Sequence, residues 1–207
     1  MTIIKHTEGI WEVPNFLSQE ACAELIARSE AAGYEDAKVR THTGEESMPG
    51  IRNNAKAIVE WPELVDTIWK GVQSLELPAL QSRLPAGLPR SLRFYRYAPG
   101  QRFKMHKDGP WKEDGLTSEW TFLIYLNEDF EGGRTMFRES ATIVPKTGSA
   151  LLFIHRTWHE GEEVTAGTKY ALRSDVFYEN TLANPETLAA IAQAKAGDTT
   201  AIALDKL

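Results

Sequence analysis

The chain has 207 residues, 42% hydrophobic and 25% charged, with a formal net charge of −6 and one cysteine, Cys22. That length can bury a substantial core within a single domain, while no stretch approaches the ~20 apolar residues of a membrane-spanning helix, so no membrane partner is expected. The acidic balance and the lack of a Lys/Arg cluster argue against nucleic acid as a partner. A lone cysteine excludes an internal disulfide, and the N-terminus lacks the apolar stretch of a signal peptide. A cytoplasmic setting is therefore expected, with Cys22 read as a small buried hydrophobe on a helix.

In chain order, residues 8–17 read as an opening strand. Ser18 is placed to cap a helix whose apolar positions Cys22, Leu25 and Ile26 recur at helical spacing until Gly33 stops it. Residues 41–50, rich in Gly, Pro and polar side chains, read as a loop. Ile58 and Val59 end a short strand, and Pro62 suits the first turn of a second helix carrying Leu64, Val65, Ile68, Trp69 and Val72. From 92 to 178 the pattern changes to short β-rich runs, at 92–98, 102–108, 119–127, 133–138, 141–145, 149–155, 159–165 and 168–178, separated by Gly, Pro and Asp. So many short strands predict an antiparallel sandwich or squashed barrel of jelly-roll type. Asn184-Pro185-Glu186 opens a C-terminal helix to about Ala196.

The residues with the most chemical content are His106-Lys107-Asp108 and His159. In an extended strand, side chains two apart share a face, so His106 and Asp108 can grip one ion while Lys107 points away. His159 lies far enough along the chain to arrive from another strand. Two imidazoles and a carboxylate hold Fe(II) on one face and leave coordination positions open. Zinc accepts the same ligands, so a zinc hydrolase is a rival at this point. After His159 the chain reads as a hairpin turning near Ala166-Gly167, and its return strand carries Lys169, Ala171, Arg173, Asp175 and Phe177 on one face. Inward cations are costly unless an anion meets them.

Tyr97-Ala98-Pro99-Gly100, His106-Lys107-Asp108, Leu123-Ile124-Tyr125-Leu126-Asn127, Gly132-Gly133-Arg134-Thr135 and His159-Glu160-Gly161 with Gly167-Thr168-Lys169, in that order, resemble the Fe(II)- and 2-oxoglutarate-dependent dioxygenases of the prolyl 4-hydroxylase-like group. The resemblance covers roughly residues 90–178. It implies a mainly β fold with supporting helices, a double-stranded β-helix (distorted jelly roll). The whole chain, 1–207, then reads as one oxygenase domain: N-terminal strand and helix support over 1–90, a jelly-roll core over 91–178 and a C-terminal helix and tail over 179–207.

Carried onto this sequence, the resemblance makes His106, Asp108 and His159 the catalytic iron ligands. Lys169 becomes the cation for the far carboxylate of 2-oxoglutarate, with Tyr125 and Thr121 as hydroxyl donors to the same carboxylate and Tyr97 as a further pocket residue. Tyr125 and Thr121 are also ordinary β-formers, and Lys169 could be a solvated strand lysine. Arg173 either reaches the cosubstrate or an anionic substrate group, or pairs with Asp175 to close one barrel end. His155 reads as support for a ligand, and Phe103 and Phe153 as core.

The implied activity is hydroxylation with release of succinate and CO2, using Fe(II), 2-oxoglutarate and O2, with ascorbate as a candidate reductant. The substrate is a small molecule or a peptide or protein, a peptidyl proline among the candidates. Loops 41–52 and 109–118, with Trp111 and Arg52-Asn53-Asn54, are the candidate selectivity elements. The alternative is a non-catalytic, cupin-like module that binds a metal or ligand.

Overall fold

A computed structural model describes residues 1–197. The expected opening strand is a hairpin: β1 (Ile4–Thr7) turns back into β2 (Ile10–Val13). Ser18 caps α1 (Gln19–Ala32), its hydroxyl accepting from the Ala21 amide, and Gly33 closes the helix at φ 83°. After β3 (Glu35–Asp36), the polar stretch read as a loop folds into a small ribbon, β4 (Val39–Thr41) against β5 (Gly44–Glu46). Then β6 (Ala55–Glu60) leads into α2 (Pro62–Gln73), with Pro62 in its first turn.

The β-rich part runs β7 (Pro85–Gly87), β8 (Ser91–Tyr97), β9 (Phe103–His106), β10 (Lys112–Glu113), β11 (Leu116–Tyr125), β12 (Glu131–Gly132), β13 (Thr135–Phe137), β14 (Thr142–Ile143), β15 (Ala150–Ile154), β16 (His159–Gly161), β17 (Val164–Ala166) and β18 (Lys169–Tyr178). α3 (Pro185–Gly197) follows, the Thr187 amide donating to the Asn184 side chain at 2.7 Å.

Two antiparallel sheets organise these strands. The larger has the order β1-β2-β15-β11-β18-β8-β6-β3, with β10 added on β11 and β7 on β18; the smaller has the order β14-β13-β16-β9. Strands β2 and β6, from the N-terminal part, therefore extend the same sheet as the central strands. One expectation fails here. The segment after His159 is not a hairpin with β18, because β17 pairs with β12 while β18 pairs with β11, β8 and β7. Gly167, at φ 75°, turns the chain out of the two-stranded β12–β17 ribbon and into the larger sheet.

Alternation along β11 and β18 then divides the molecule. Trp120, Phe122 and Ile124, with Leu172 and Val176, face α1 and α2 and pack with Trp11, Leu25, Ile68 and Val72. Cys22 is buried in this layer, and burial pushes its thiol up to about 11. On the opposite side Tyr125, Phe137, Ile143, Leu151 and Phe153 fill the space between the sheets. The polar members of that second face, Thr121, Lys169, Arg173 and Asp175, are buried too. A strand face that buries ionisable groups between apolar layers marks a site rather than core.

Helix α1 is docked by the turn before β15. Gly148 adopts φ 76°, and a Cβ there would stand 2.1 Å from the Leu17 carbonyl oxygen, while the Leu17 amide donates to the Gly148 carbonyl. Gly148→Ala is predicted to lower unfolding free energy by about 2 kcal/mol or more through strain and displaced backbone. Gly50→Ala, with open space around it, should change it by less than about 0.5 kcal/mol. Urea denaturation midpoints of the two variants check this.

Candidate active site

The β9–β16 pairing sets His159 directly across from His106, with ring centroids 4.2 Å apart. β9 ends at His106, so Asp108 does not owe its direction to strand alternation as expected from sequence. Its amide donates to the His155 carbonyl at 3.0 Å, and that bond returns the carboxylate to the imidazoles. One ligand atom from each of His106, Asp108 and His159 lies within 4.8 Å of the others.

The imidazoles are prepared as ligands. Nδ1 of His106 lies 2.7 Å from the Lys104 carbonyl and Nδ1 of His159 lies 3.0 Å from the Thr157 carbonyl. A carbonyl only accepts, so both Nδ1 atoms carry a proton, which leaves Nε2 as the nitrogen each ring can offer to a metal. The two Nε2 atoms each stand 3.6 Å from an oxygen of Asp108, and the buried His106 Nε2 has no hydrogen-bond partner. Burial is the largest influence on His159 and brings it down to about 4 against the opposing pull of Asp108. His159 is thus neutral near pH 7 and its approach to Asp108 is not an ion pair. Burial would raise the Asp108 carboxyl, but the Arg173 guanidinium foremost holds it well below the usual range. Two imidazole Nε2 atoms and an ionised carboxylate gathered at one point fit a divalent cation.

Neighbouring rings fix these ligands. Phe103 stacks on His106 at 3.5 Å and Phe153 packs on His159 at 4.4 Å. Both phenylalanines read simply as core in the sequence; here they orient the two imidazoles. His155 sits outside the ligand cluster, buried, with Nε2 3.3 Å from Asp175 Oδ1 but without hydrogen-bond geometry.

A narrow chamber of about 50 Å³ leads inward from the three ligands, lined by Tyr97, Thr121, Tyr125, Thr135, Lys169 and Arg173 among others. Lys169 lies at one end, only 5% exposed, with Nζ donating to the Gly133 carbonyl at 2.5 Å. Gly133 is required there: at φ 65° a Cβ would stand 3.2 Å from Lys169 Cδ and 2.9 Å from Phe130. Among the described residues no carboxylate forms an ion pair with Lys169. Burial brings its ammonium down to about 8, with Glu162 the opposing influence.

Tyr125 and Tyr97 flank this ammonium, which lies 5.3 Å and 5.4 Å from their ring centroids. The Tyr125 hydroxyl shares a 2.7 Å hydrogen bond with Thr135. Thr135 was missed as a site residue, although it closes the Gly-Gly-Arg-Thr motif that was recognised.

Thr121 shares the Tyr125 face of β11 but serves the other end of the chamber, where its hydroxyl donates to Asp108 Oδ2 at 2.5 Å. Arg173 Nη2 lies 3.0 Å from Asp108 Oδ2, 3.4 Å from Thr121 Oγ1 and 3.3 Å from Asp175 Oδ1. It therefore both pairs with Asp175 and braces the Asp108 carboxylate. Arg93 forms a second ion pair with Asp175.

The chamber opens into a groove of about 550 Å³ whose walls include Arg52, Lys56, Ile58, Arg93, Trp111 and Trp158. The loop containing Arg52 and the segment at Trp111 were expected to frame such an opening. Trp158 was not singled out; it is 39% exposed, with Lys107 and Arg138 over its ring.

Residues 92–174 match the family model of the 2OG-Fe(II) oxygenase superfamily. The chain is 24% identical over 165 residues to a probable prolyl 4-hydroxylase 3 of Arabidopsis thaliana, covering 67% of this chain and 55% of that protein. It is 31% identical over 110 residues to a putative prolyl 4-hydroxylase of Acanthamoeba polyphaga mimivirus, covering 44% and 46%. It thus spans about half the length of these two relatives. Among solved structures, the viral collagen prolyl hydroxylase of Paramecium Bursaria Chlorella virus-1, as a 2OG complex, matches with TM-score 0.62 and 22% identity over 81% of this chain and 95% of that one. A Trichoplax adhaerens prolyl hydroxylase in complex with a hypoxia inducible factor oxygen degradation domain peptide fragment matches with TM-score 0.66 and 21% identity over 83% and 84%. The fold is the expected double-stranded β-helix.

The protein is predicted to bind one divalent ion per chain. Isothermal titration with Co(II) should give a stoichiometry of one, and His106→Ala should weaken binding by on the order of 100-fold or more, since even indirect supports of a metal site are worth 10–100-fold. Wild-type affinity in His106→Ala would remove the site.

Proposed function

We propose that the chain belongs to the 2OG-Fe(II) oxygenase superfamily, whose family model its residues 92–174 match, and that it is an Fe(II)- and 2-oxoglutarate-dependent dioxygenase that hydroxylates its substrate and releases succinate and CO2. The single observation that carries this reading is the shared chamber: three metal-type ligands at its mouth and an unpaired buried lysine at its end. A zinc hydrolase has no use for a dicarboxylate slot. When bound, Fe(II) with 2-oxoglutarate supplies the activation of O2 that cleaves a substrate C–H bond.

The protein's own residues supply position and charge. His106, Asp108 and His159 would hold the metal from one side and leave its other side toward the chamber and groove. Lys169 would meet the distal carboxylate of 2-oxoglutarate as a compact point charge, releasing the Gly133 carbonyl it now engages. The hydroxyls of Tyr125 and Thr135 lie beside that position, and Tyr97 forms its wall. Thr121 and Arg173 hold Asp108 ionised and oriented. Residues 1–207 are read as one oxygenase domain around this site.

Peptide or protein substrates and small molecules both suit a groove of this volume, and the prolyl hydroxylase relatives, one of them in complex with a peptide, favour the first. No helix among the described residues is long and apolar enough to cross a membrane; a cytoplasmic setting and ascorbate as reductant remain part of this reading.

Lys169→Ala is expected to raise the KM for 2-oxoglutarate roughly 100-fold or more in a succinate-release assay, because a buried charge would lose its partner. An unchanged KM would move the dicarboxylate elsewhere. The pH dependence follows from the same group. Free Lys169 is cationic below about 8 and loses its proton as pH rises through that value, so kcat/KM for 2-oxoglutarate should fall about tenfold per pH unit above it. The bound dicarboxylate holds the proton on, so kcat at saturation should fall less over the same range. A kcat/KM profile flat from pH 7 to 10 would contradict this role.

A further inference from the structure

The groove beyond the metal ligands carries charge of the opposite sign to the protein as a whole. Against a net charge of −6, its lining has six cationic side chains, Lys38, Arg52, Lys56, Arg93, Lys107 and Arg173, and three acids, Glu45, Asp108 and Asp175. Most of the inner cations are accounted for. Lys56 lies between Glu35 and Glu45 at 3.7 Å and 3.6 Å, Arg93 and Arg173 share Asp175, and Arg173 also meets Asp108.

Arg52 is different. It is 8% exposed, its Nε is used by the neutral Asn54 side chain at 2.8 Å, and its buried Nη2 has no hydrogen-bond partner. Among the described residues it has no carboxylate partner. Its position is nevertheless tightly set. The guanidinium lies 4.5 Å from the ring centroids of both Tyr95 and Phe103, its backbone bridges to Phe103 and its amide donates to the Met48 carbonyl. Phe103 in turn stacks on His106, so Arg52 is one ring removed from a metal-type ligand. A second unpaired N–H, Arg173 Nε, is buried on the lining of the same groove. Tyr95, which lines both the inner chamber and the groove, registers the local potential: burial would raise its phenol, yet Arg52, Arg173 and Arg93, with a hydrogen bond from Arg52, bring it to about 7.

A buried, oriented guanidinium with a spare N–H and no carboxylate partner is a receptor for a planar anion. We propose that the substrate carries a carboxylate, which Arg52 receives in the groove with Arg173 beside it, setting the carbon to be oxidised over the His106, Asp108 and His159 cluster. The shared chemistry is the carboxylate, whether it belongs to a free amino or organic acid or to an acidic side chain of a peptide. The proposal rests on the oxygenase reading and narrows its substrate class.

The test uses the Fe(II)- and 2-oxoglutarate-saturated protein under anaerobic conditions, so that the inner chamber is filled before any probe is added. Intrinsic fluorescence of Trp111 and Trp158, both on the groove, is titrated with three families of probes, each as acid and matching carboxamide: free amino acids, N-acetyl amino acids, and blocked pentapeptides with a central Glu or Gln. At least one family should bind the acid about tenfold or more tightly than the amide, a single charge-assisted hydrogen bond being worth that much. Which family does so identifies the source of the carboxylate.

Arg52→Gln should abolish that preference and Arg52→Lys should retain part of it, thermal melting of each variant serving as the check on folding. Equal binding of acids and amides by the wild-type protein, no acid binding in any family, or an undiminished acid preference in a folded Arg52→Gln would each overturn the proposal. Succinate release by the wild-type protein reads the oxygenase assignment separately. If it is present while acid preference is absent, this inference alone fails; if it is itself absent, the assignment beneath fails.

Discussion

The buried carboxylate of Asp108 is the constraint on which the rest of the site depends. An ionised acid away from water is costly unless charges and hydrogen bonds surround it, and distant parts of the chain converge on this one. The Thr121 hydroxyl and the Arg173 guanidinium meet one oxygen, the His155 carbonyl anchors its backbone, and the two free imidazole nitrogens approach from β9 and β16. The cations and donors keep the acid ionised, while burial keeps His159 neutral. The result is two imidazoles and an ionised carboxylate gathered at one point, an arrangement that a divalent ion would stabilise.

The sheet that carries this site solves two problems with one periodicity. On β11 and β18 alternate residues pack under α1 and α2, and the residues between them supply Thr121, Tyr125, Lys169, Arg173 and Asp175. Because the apolar face is large and buried, a slip of one residue would expose it, so the register that stabilises the protein also fixes the spacing of the polar row. Lys169 and Arg173 are held four residues apart on a strand, one at the inner end of the chamber and one at its mouth, and they serve different partners for that reason.

Much of this was legible in the amino-acid order. The ligand types, the Lys169 position and the alternation on β18 follow from residue identity and a two-residue period, and the antiparallel architecture follows from short β-rich runs between turn residues. What could not be read was anything set by contacts distant in the chain. The strand expected through Asp108 ends at His106, because a backbone bond to His155 takes over. The expected hairpin after His159 is a passage between sheets, since β17 finds β12 rather than β18. Thr121 looked equivalent to Tyr125 by parity but is captured by Asp108, and Thr135 gained its place from pairing across the chamber. Arg52 was visible only as a polar loop residue; its lack of a carboxylate partner is a property of burial, which sequence does not display.

The central claim is that a metal held by His106, Asp108 and His159 faces a dicarboxylate slot ending at Lys169. The most direct measurement is the visible spectrum of the Fe(II)-loaded protein titrated anaerobically with 2-oxoglutarate. The account predicts a weak metal-to-ligand charge-transfer band that saturates with one 2-oxoglutarate per chain and requires far higher concentrations in Lys169→Ala. Bound Fe(II) with no such band at any 2-oxoglutarate concentration would contradict it.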